Sequence, residues 1–295
     1  DQVLILRELE DNKRMAITGA AGTGKTILAI QKAIIIAEEK NKVLLLCFNR
    51  PLSINLKHQT SEYQNIDSKN FHQFCNDCFK KSGDKKYNSI LMEELSDKEL
   101  SELMIDAFIE TGQELYDAII IDEGQDFSHH WLIALQSVIK DAENGVLYIF
   151  YDDNQNVKSQ STDYIKSLPI AKHKLLKNIR NTKKIFSEAE KYYLGSYVMP
   201  VGPDGVDVNW GSLNLDDMNY QIRKKIDDLL GNNGFYPEQI SILFQEKKYL
   251  DSFVYDKHLN RYKIVDSENR QSGNITVDTI RRFKGLESHV VFLIM

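Results

Sequence analysis

Met15–Gln31 reads MAITGAAGTGKTILAIQ: an apolar run, then three glycines and a lysine within Gly19–Thr26, then a stretch free of proline and glycine. The spacing Gly19-x-x-x-x-Gly24-Lys25-Thr26 between a strand pattern and a helix pattern predicts a loop that wraps phosphate. Glycine lets successive N–H groups converge on phosphate oxygens, and the start of a helix adds a favourable dipole. Lys25 is then placed to reach the β- and γ-phosphates, and the Thr26 hydroxyl to ligate Mg²⁺. Gly19, Gly22, Gly24, Lys25 and Thr26 are the first candidate nucleotide-binding residues.

Moving outward, apolar runs alternate with helical patterns, a βαβ rhythm. VLLLC, AIIID and VLYIF are apolar on both faces, which suits a parallel sheet covered by helices on each side. The run AIIIDEGQDF delivers Asp122 and Glu123 to the carboxyl end of a strand, where open α/β sheets bind ligands. Asp122 is the expected partner of Thr26 on Mg²⁺, and Glu123 the carboxylate that orients or deprotonates an attacking water. The fold class expected is therefore α/β, a P-loop nucleotide hydrolase.

Composition narrows the partners. With 43 acidic and 37 basic side chains the formal net charge is −6, so the whole chain exerts no general pull on a polyanion. Contact with nucleic acid has to come from a local surface. Three cysteines, Cys47, Cys75 and Cys78, argue against a disulfide framework and for a reducing compartment, with the cytoplasm as default. Apolar runs such as Ala33–Ala37 fall far short of the ~20 residues that span a bilayer, so no membrane association is expected. The chain opens on Asp1 and stops at Met295 directly after the strand-like VVFLIM, expected to be buried, and reads as cut at both ends.

Lys80–Glu114 breaks the rhythm. Rich in Lys, Glu, Asp and Leu at helical spacing, it predicts a small helical insertion at about 80–114 whose acidic face is solvated. PVGPDGVDVNWG, Pro200–Gly211, marks a loop-rich connection. Beyond it come a helix near Asp216–Leu230, the strand ISILF, a helix near Lys247–Leu259, and the strands YKIV, ITVDTI and VVFLIM, a second α/β unit.

In their order these motifs resemble the UvrD/Rep-like branch of superfamily 1 helicases, and the resemblance runs over nearly the whole chain. LLLCFNRPL is similar to the family's first strand-contacting motif, which implies a base-stacking role for Phe48 and places Asn49 and Arg50 near the backbone; a buried core Phe48 is the competing reading. NFHQFC resembles the next motif, with Asn70 where threonine is common, and implies that Phe71 and His72 line the DNA path. DEGQDF is close to DExxD, where Gln125 and Asp126 couple the nucleotide to the neighbouring strand. FYDDNQNV resembles GDxxQ, implying that Gln155 senses the γ-phosphate. LLKNIRNT matches LxxNYRS, implying that Arg180 contacts the γ-phosphate from the second lobe. VDTIRRFKGLESHVVFL is similar to the KGLE motif and places Lys284, Gly285 and Glu287 at the lobe interface and beside the ribose. Gln2 aligns with the adenine-reading glutamine.

The resemblance implies two RecA-like lobes, 1–172 with the insertion and 173–295, the second incomplete at its C-terminus, with ATP and Mg²⁺ in the cleft between them. Glu123, Lys25, Gln155 and Arg180 are then catalytic. The implied function is an ATP-dependent DNA helicase or single-strand DNA translocase. The competing one is a nucleotide-gated module that controls an attached nuclease or partner, as in phage defence, without unwinding. A metabolic P-loop kinase leaves Gln155, Arg180 and the KGLE stretch without purpose.

Two departures bear on this. Lys158 and Gln160 stand where the family carries base-stacking aromatics, worth about 1–3 kcal/mol per base, which weakens the case for efficient unwinding. The family's last motif, with its arginine finger, lies beyond the KGLE strand. Of the weaker signals, His72, Cys75 and Cys78 form only a fragment of a zinc pattern, and the two cysteines read as buried core thiols. Lys172, Lys174, Lys177, Arg180, Lys183 and Lys184 form a basic cluster that is either solvated or neutralises phosphates along a groove.

Overall fold

Arg14–Gly19 (β1), Val43–Cys47 (β2), Ile66–Asn70 (β3), Ala118–Ile121 (β4), Val146–Tyr151 (β5) and Ala171–Leu175 (β6) form one sheet in the order β3-β2-β4-β5-β1-β6. Every neighbouring pair in it is parallel. The computed structural model describes residues 12–141, 143–153, 159–193, 197–212, 214–231, 234–253, 258–259 and 261–295. β2 and β4 are buried at every position, as expected of central strands covered on both faces. β6 is an edge strand, AKHKL, with Lys172 and Lys174 exposed. Lysine along an edge discourages pairing with another chain, and the same lysines erase the apolar signal by which a strand is read from sequence.

The helix Lys25–Glu38 (α1) packs across β2, β4 and β5. After Arg50–Gln59 (α2), the helices Phe71–Ser82 (α3), Asp97–Glu110 (α4) and His129–Gln136 (α5) pack in series, α3 on α4 and α4 on α5. Asn70 caps α3 by accepting the Gln73 N–H at 2.9 Å. α4 is the body of the helical insertion. Its start, Ser96-Asp-Lys-Glu99, is a capping box in which Glu99 Oε2 accepts the Ser96 N–H at 2.9 Å. Leu100, Met104, Ala107 and Phe108 on α4 join Phe74, Cys75, Cys78 and Phe79 of α3 in one core, so the insertion is knitted to the domain. Cys75 and Cys78 are buried thiols, and burial pushes Cys78 up to about 12.

The chain divides into two units: the described residues up to Phe48 with Ser53–Val208, and Asn49–Leu52 with Asn209–Met295. Residues 173–208 fall in the first, whereas the sequence draws the line after Lys172. The helices Ser159–Ser167 (α6) and Lys183–Glu190 (α7), and the short parallel pair Lys177–Asn178 (β7) and Met199–Pro200 (β8), complete the first unit. The N–H groups of Lys183 and Lys184 donate to the carbonyls of Pro203 and Asp204, which pins the loop-rich connection onto the start of α7.

The second unit has its own sheet. Ile240–Phe244 (β9), His258–Leu259 (β10), Tyr262–Val265 (β11), Ile275–Thr279 (β12) and Val290–Ile294 (β13) lie in the order β10-β11-β12-β9-β13. All pairs are parallel except β10 with β11. Leu215–Gly231 (α8) buries Met218, Ile222 and Ile226, spaced four apart on one face, against this sheet. Two expectations change here. The helix foreseen over Lys247–Leu259 is Lys247–Phe253 (α9), and His258–Leu259 is a strand. β13, expected to be buried, is an edge strand with Val291 and Leu293 nearly half exposed.

Candidate functional site

All the loops that follow β1 to β5 emerge at the carboxyl edge of one parallel sheet, and this brings separate motifs together. β1 ends at Gly19, and Gly24 stands at the N-cap of α1 in the left-handed region, φ 88°. Gly22 is left-handed too, φ 81°, and a Cβ there would come within 2.7 Å of the Asn178 and Asn181 side-chain amides. Lys25 is buried. Its Nζ donates to the carbonyls of Gly19 at 2.6 Å and Ala20 at 3.1 Å and pairs with Asp152 Oδ2 at 3.6 Å.

The acid turn follows β4. Asp122 donates its N–H to Leu46 O at 2.8 Å and is wholly buried. Its Oδ1 accepts the Glu123 N–H at 3.0 Å, and Oδ2 has no hydrogen-bond partner among the described residues. Burial, and then the charge of Glu123, push the Asp122 carboxyl up to about 7, against the Thr26 hydroxyl and Lys25, which hold it down. A buried carboxylate oxygen with no donor suits a cation. Glu123 is one of two non-glycine residues with positive φ among those described, at 55°. Strain of this kind persists where surrounding packing imposes it.

Gln125 links this turn to the next strand. Fully buried, it donates Nε2 to Glu123 Oε2 at 2.5 Å and accepts the Asp152 N–H on Oε1 at 2.9 Å. β5 lies between β4 and β1, so the residue that follows it, Asp152, meets Gln125 on one side and Lys25 on the other. Asp152 is not among the sequence candidates. Its signal was the pair of acids that ends the strand VLYIFY.

A third segment closes on the phosphate loop. Asn178 Nδ2 donates to Ala21 O at 2.8 Å, and the N–H groups of Ile179 and Arg180 donate to Gly22 O at 3.0 and 3.1 Å. Arg180, expected to act from the second lobe, belongs to the first unit and has its main chain against the loop.

A family model described as AAA domain matches residues 2–160, more than half of the chain. The chain belongs to the AAA domain family. No curated protein matches its sequence. Among solved structures, the Pif1 helicase from Candida albicans is similar at 16% identity, over 89% of this chain and 54% of that one, with a TM-score of 0.47. A second, described as the structural basis for DNA unwinding at forked dsDNA by two coordinating Pif1 helicases, is similar at 13% identity over 87% and 56%, with a TM-score of 0.33. This chain thus spans just over half the length of each.

The same edge of the AAA domain carries an aromatic group. Phe48 follows β2, and Phe71 and His72 follow β3; Phe48 and His72 are half-buried. Phe71, expected to line a DNA path, is fully buried, stacked on Trp131 at 4.3 Å and edge-on to Phe127 at 5.9 Å. It is closed to a ligand and supports its neighbours instead. Gln2 and Gln155 lie outside the described residues, as does Lys158. Asn49 and Arg50 are counted with the second unit: Asn49 Nδ2 donates to the carbonyls of Arg282 and Lys284, and Arg50 pairs with Glu268 at 3.1 Å. In that unit a Cβ on Gly285 would stand 2.8 Å from Leu52, and Glu287 O accepts Arg270 at 3.0 Å. Among the described residues no helix is long and apolar enough to cross a membrane.

Proposed function

We propose that this AAA domain protein is an ATP-driven motor on nucleic acid, a superfamily 1 helicase or single-strand DNA translocase of the UvrD/Rep-like kind. The observation that carries it is the carboxyl edge of the six-stranded sheet. There the phosphate loop, the acid turn and Asp152 are joined by direct contacts, and the half-buried pair Phe48 and His72 ends the adjoining strands β2 and β3.

Mg·ATP, when bound, supplies the phosphoryl group and the divalent charge. The N–H groups of Gly22–Lys25 and the Lys25 ammonium bind the phosphates. Thr26 and Asp122 hold the cation, which the lone Asp122 Oδ2 is suited to do. Glu123 takes a proton from the attacking water, and Gln125 fixes which way its carboxylate faces. The guanidinium of Arg180, whose main chain is anchored at Gly22, steadies charge that spreads over the transferring phosphoryl. Phe48 and His72 offer ring faces to bases, a contact that tolerates any sequence.

The test is steady-state ATP turnover with and without a single-stranded DNA oligonucleotide. Turnover that rises with the strand, and disappears in Lys25→Ala, is expected. Hydrolysis indifferent to the strand overturns the motor reading.

A further inference from the structure

Trp131 stands where three parts of the first unit meet. It is 3% exposed, on the first turn of α5, six residues beyond Gln125. One face of the indole stacks on Phe71 at 4.3 Å with an interplanar angle of 18°. Phe48 lies parallel to it at 6.0 Å, and His72 meets it edge-on at 5.4 Å. Phe127 makes a second edge-on contact with it, at 6.2 Å and 85°. The indole N–H is used as well, donating to Asp97 O at 3.1 Å at the start of α4.

These contacts form a short physical route. Phe48 and His72 are the half-buried end of it, and Phe127 is the other. Phe127 closes the acid turn, with its N–H on Gly124 O at 3.1 Å, and Asp126 N–H donates to Glu123 O at 2.9 Å. Glu123 itself holds a left-handed backbone that its own side chain disfavours, so its placement depends on how that turn is packed. A rigid indole clamped on several sides passes on a shift of one neighbour to another, because packed interiors deform little.

We propose that Trp131 is the positioning residue through which a strand lying on the Phe48–His72 face acts on Glu123. The inference rests on the motor reading above and adds to it the element that couples the strand to hydrolysis. A residue that only filled the core would affect folding, and with it every activity alike. A coupling residue affects the strand's effect on turnover in particular.

The test uses the full chain with Trp131→Leu, which removes the indole, and Trp131→Phe, which keeps a ring. Affinity for a labelled single-stranded oligonucleotide, and kcat and KM for ATP with and without it, are measured for each. In Trp131→Leu the factor by which the strand stimulates kcat is expected to fall about five-fold or more, while strand affinity stays within about three-fold. Trp131→Phe is expected to recover most of that factor. The sequence has two tryptophans, and Trp210 is 60% exposed, so a Trp210→Phe background leaves Trp131 as sole reporter. Its fluorescence is expected to change when the oligonucleotide is added. Stimulation that survives in Trp131→Leu overturns the inference alone, as does strand affinity that falls in step with stimulation. A wild-type chain with no strand stimulation overturns the motor reading, and this inference falls with it.

Discussion

Lys25 Nζ stands 3.6 Å from Asp152 Oδ2, and both side chains are buried. The phosphate-loop lysine therefore already carries a carboxylate and two loop carbonyls, and a triphosphate has to share it with a neighbouring negative charge. Asp152→Asn keeps the shape and the backbone N–H that Gln125 accepts, and removes the charge. Nucleotide binding is expected to tighten by about five-fold, on the order of 1 kcal/mol, in calorimetric titration with Mg·ADP. Weaker binding instead would mean that Asp152 holds Lys25 in its working place.

Gln125 is the second connector, with no exposed surface and both ends of its amide engaged. Gln125→Met retains the volume and leaves the Glu123 carboxylate and the Asp152 N–H without that partner. About 1–3 kcal/mol of stability is expected to be lost in denaturant titration, together with about ten-fold or more in kcat. An unchanged kcat in a destabilised variant would show that Glu123 is oriented by something else.

Asp122 gives a pH signature. Its carboxyl is pushed up to about 7 by burial and by Glu123, above the value near 3.9 of an unfolded chain. The folded form thus holds this proton more tightly, and the stability that goes with it is present at low pH and lost as pH rises through about 7. Asp122→Asn removes that loss. Without nucleotide, its melting temperature should exceed that of the wild type by more at about pH 8 than at about pH 5, while stabilisation by Mg·ATP disappears. A melting difference that does not vary with pH contradicts the assignment.

Gly22→Ala tests the clasp. The left-handed backbone costs about 1–2 kcal/mol for alanine, and the new methyl group meets the Asn178 and Asn181 amides at 2.7 Å. Both melting temperature and nucleotide affinity are expected to drop. An intact affinity would show that residues 178–181 move aside without effect on the loop.

What a stretch of sequence discloses depends on whether its signal lies within one element or between elements. The phosphate-loop and acid-turn patterns are each spelled out within one strand and the residues that follow it, so the places of Lys25, Thr26, Asp122 and Glu123 after β1 and β4 are legible in the sequence. β6 could not, because an edge strand written AKHKL has one exposed lysine at every second position and no apolar run. Phe71 and Phe48 look alike as aromatics after a strand, and only packing separates the buried support from the half-buried surface. Asp152 passed as one acid of two after β5.

By itself, then, the sequence determined the local chemistry: a loop shaped for phosphate, an acidic turn, and buried strands that must lie in a covered parallel sheet. Those features depend on neighbours in the chain, where covalent spacing sets position. Tertiary structure alone decided the partners. The order β4-β5-β1 inserts Asp152 between Gln125 and Lys25, and residues 178–180 arrive on the phosphate loop from more than 150 positions away. Strand order and long-range docking are chosen by burial summed over the whole sheet, and no short stretch of residues records that sum.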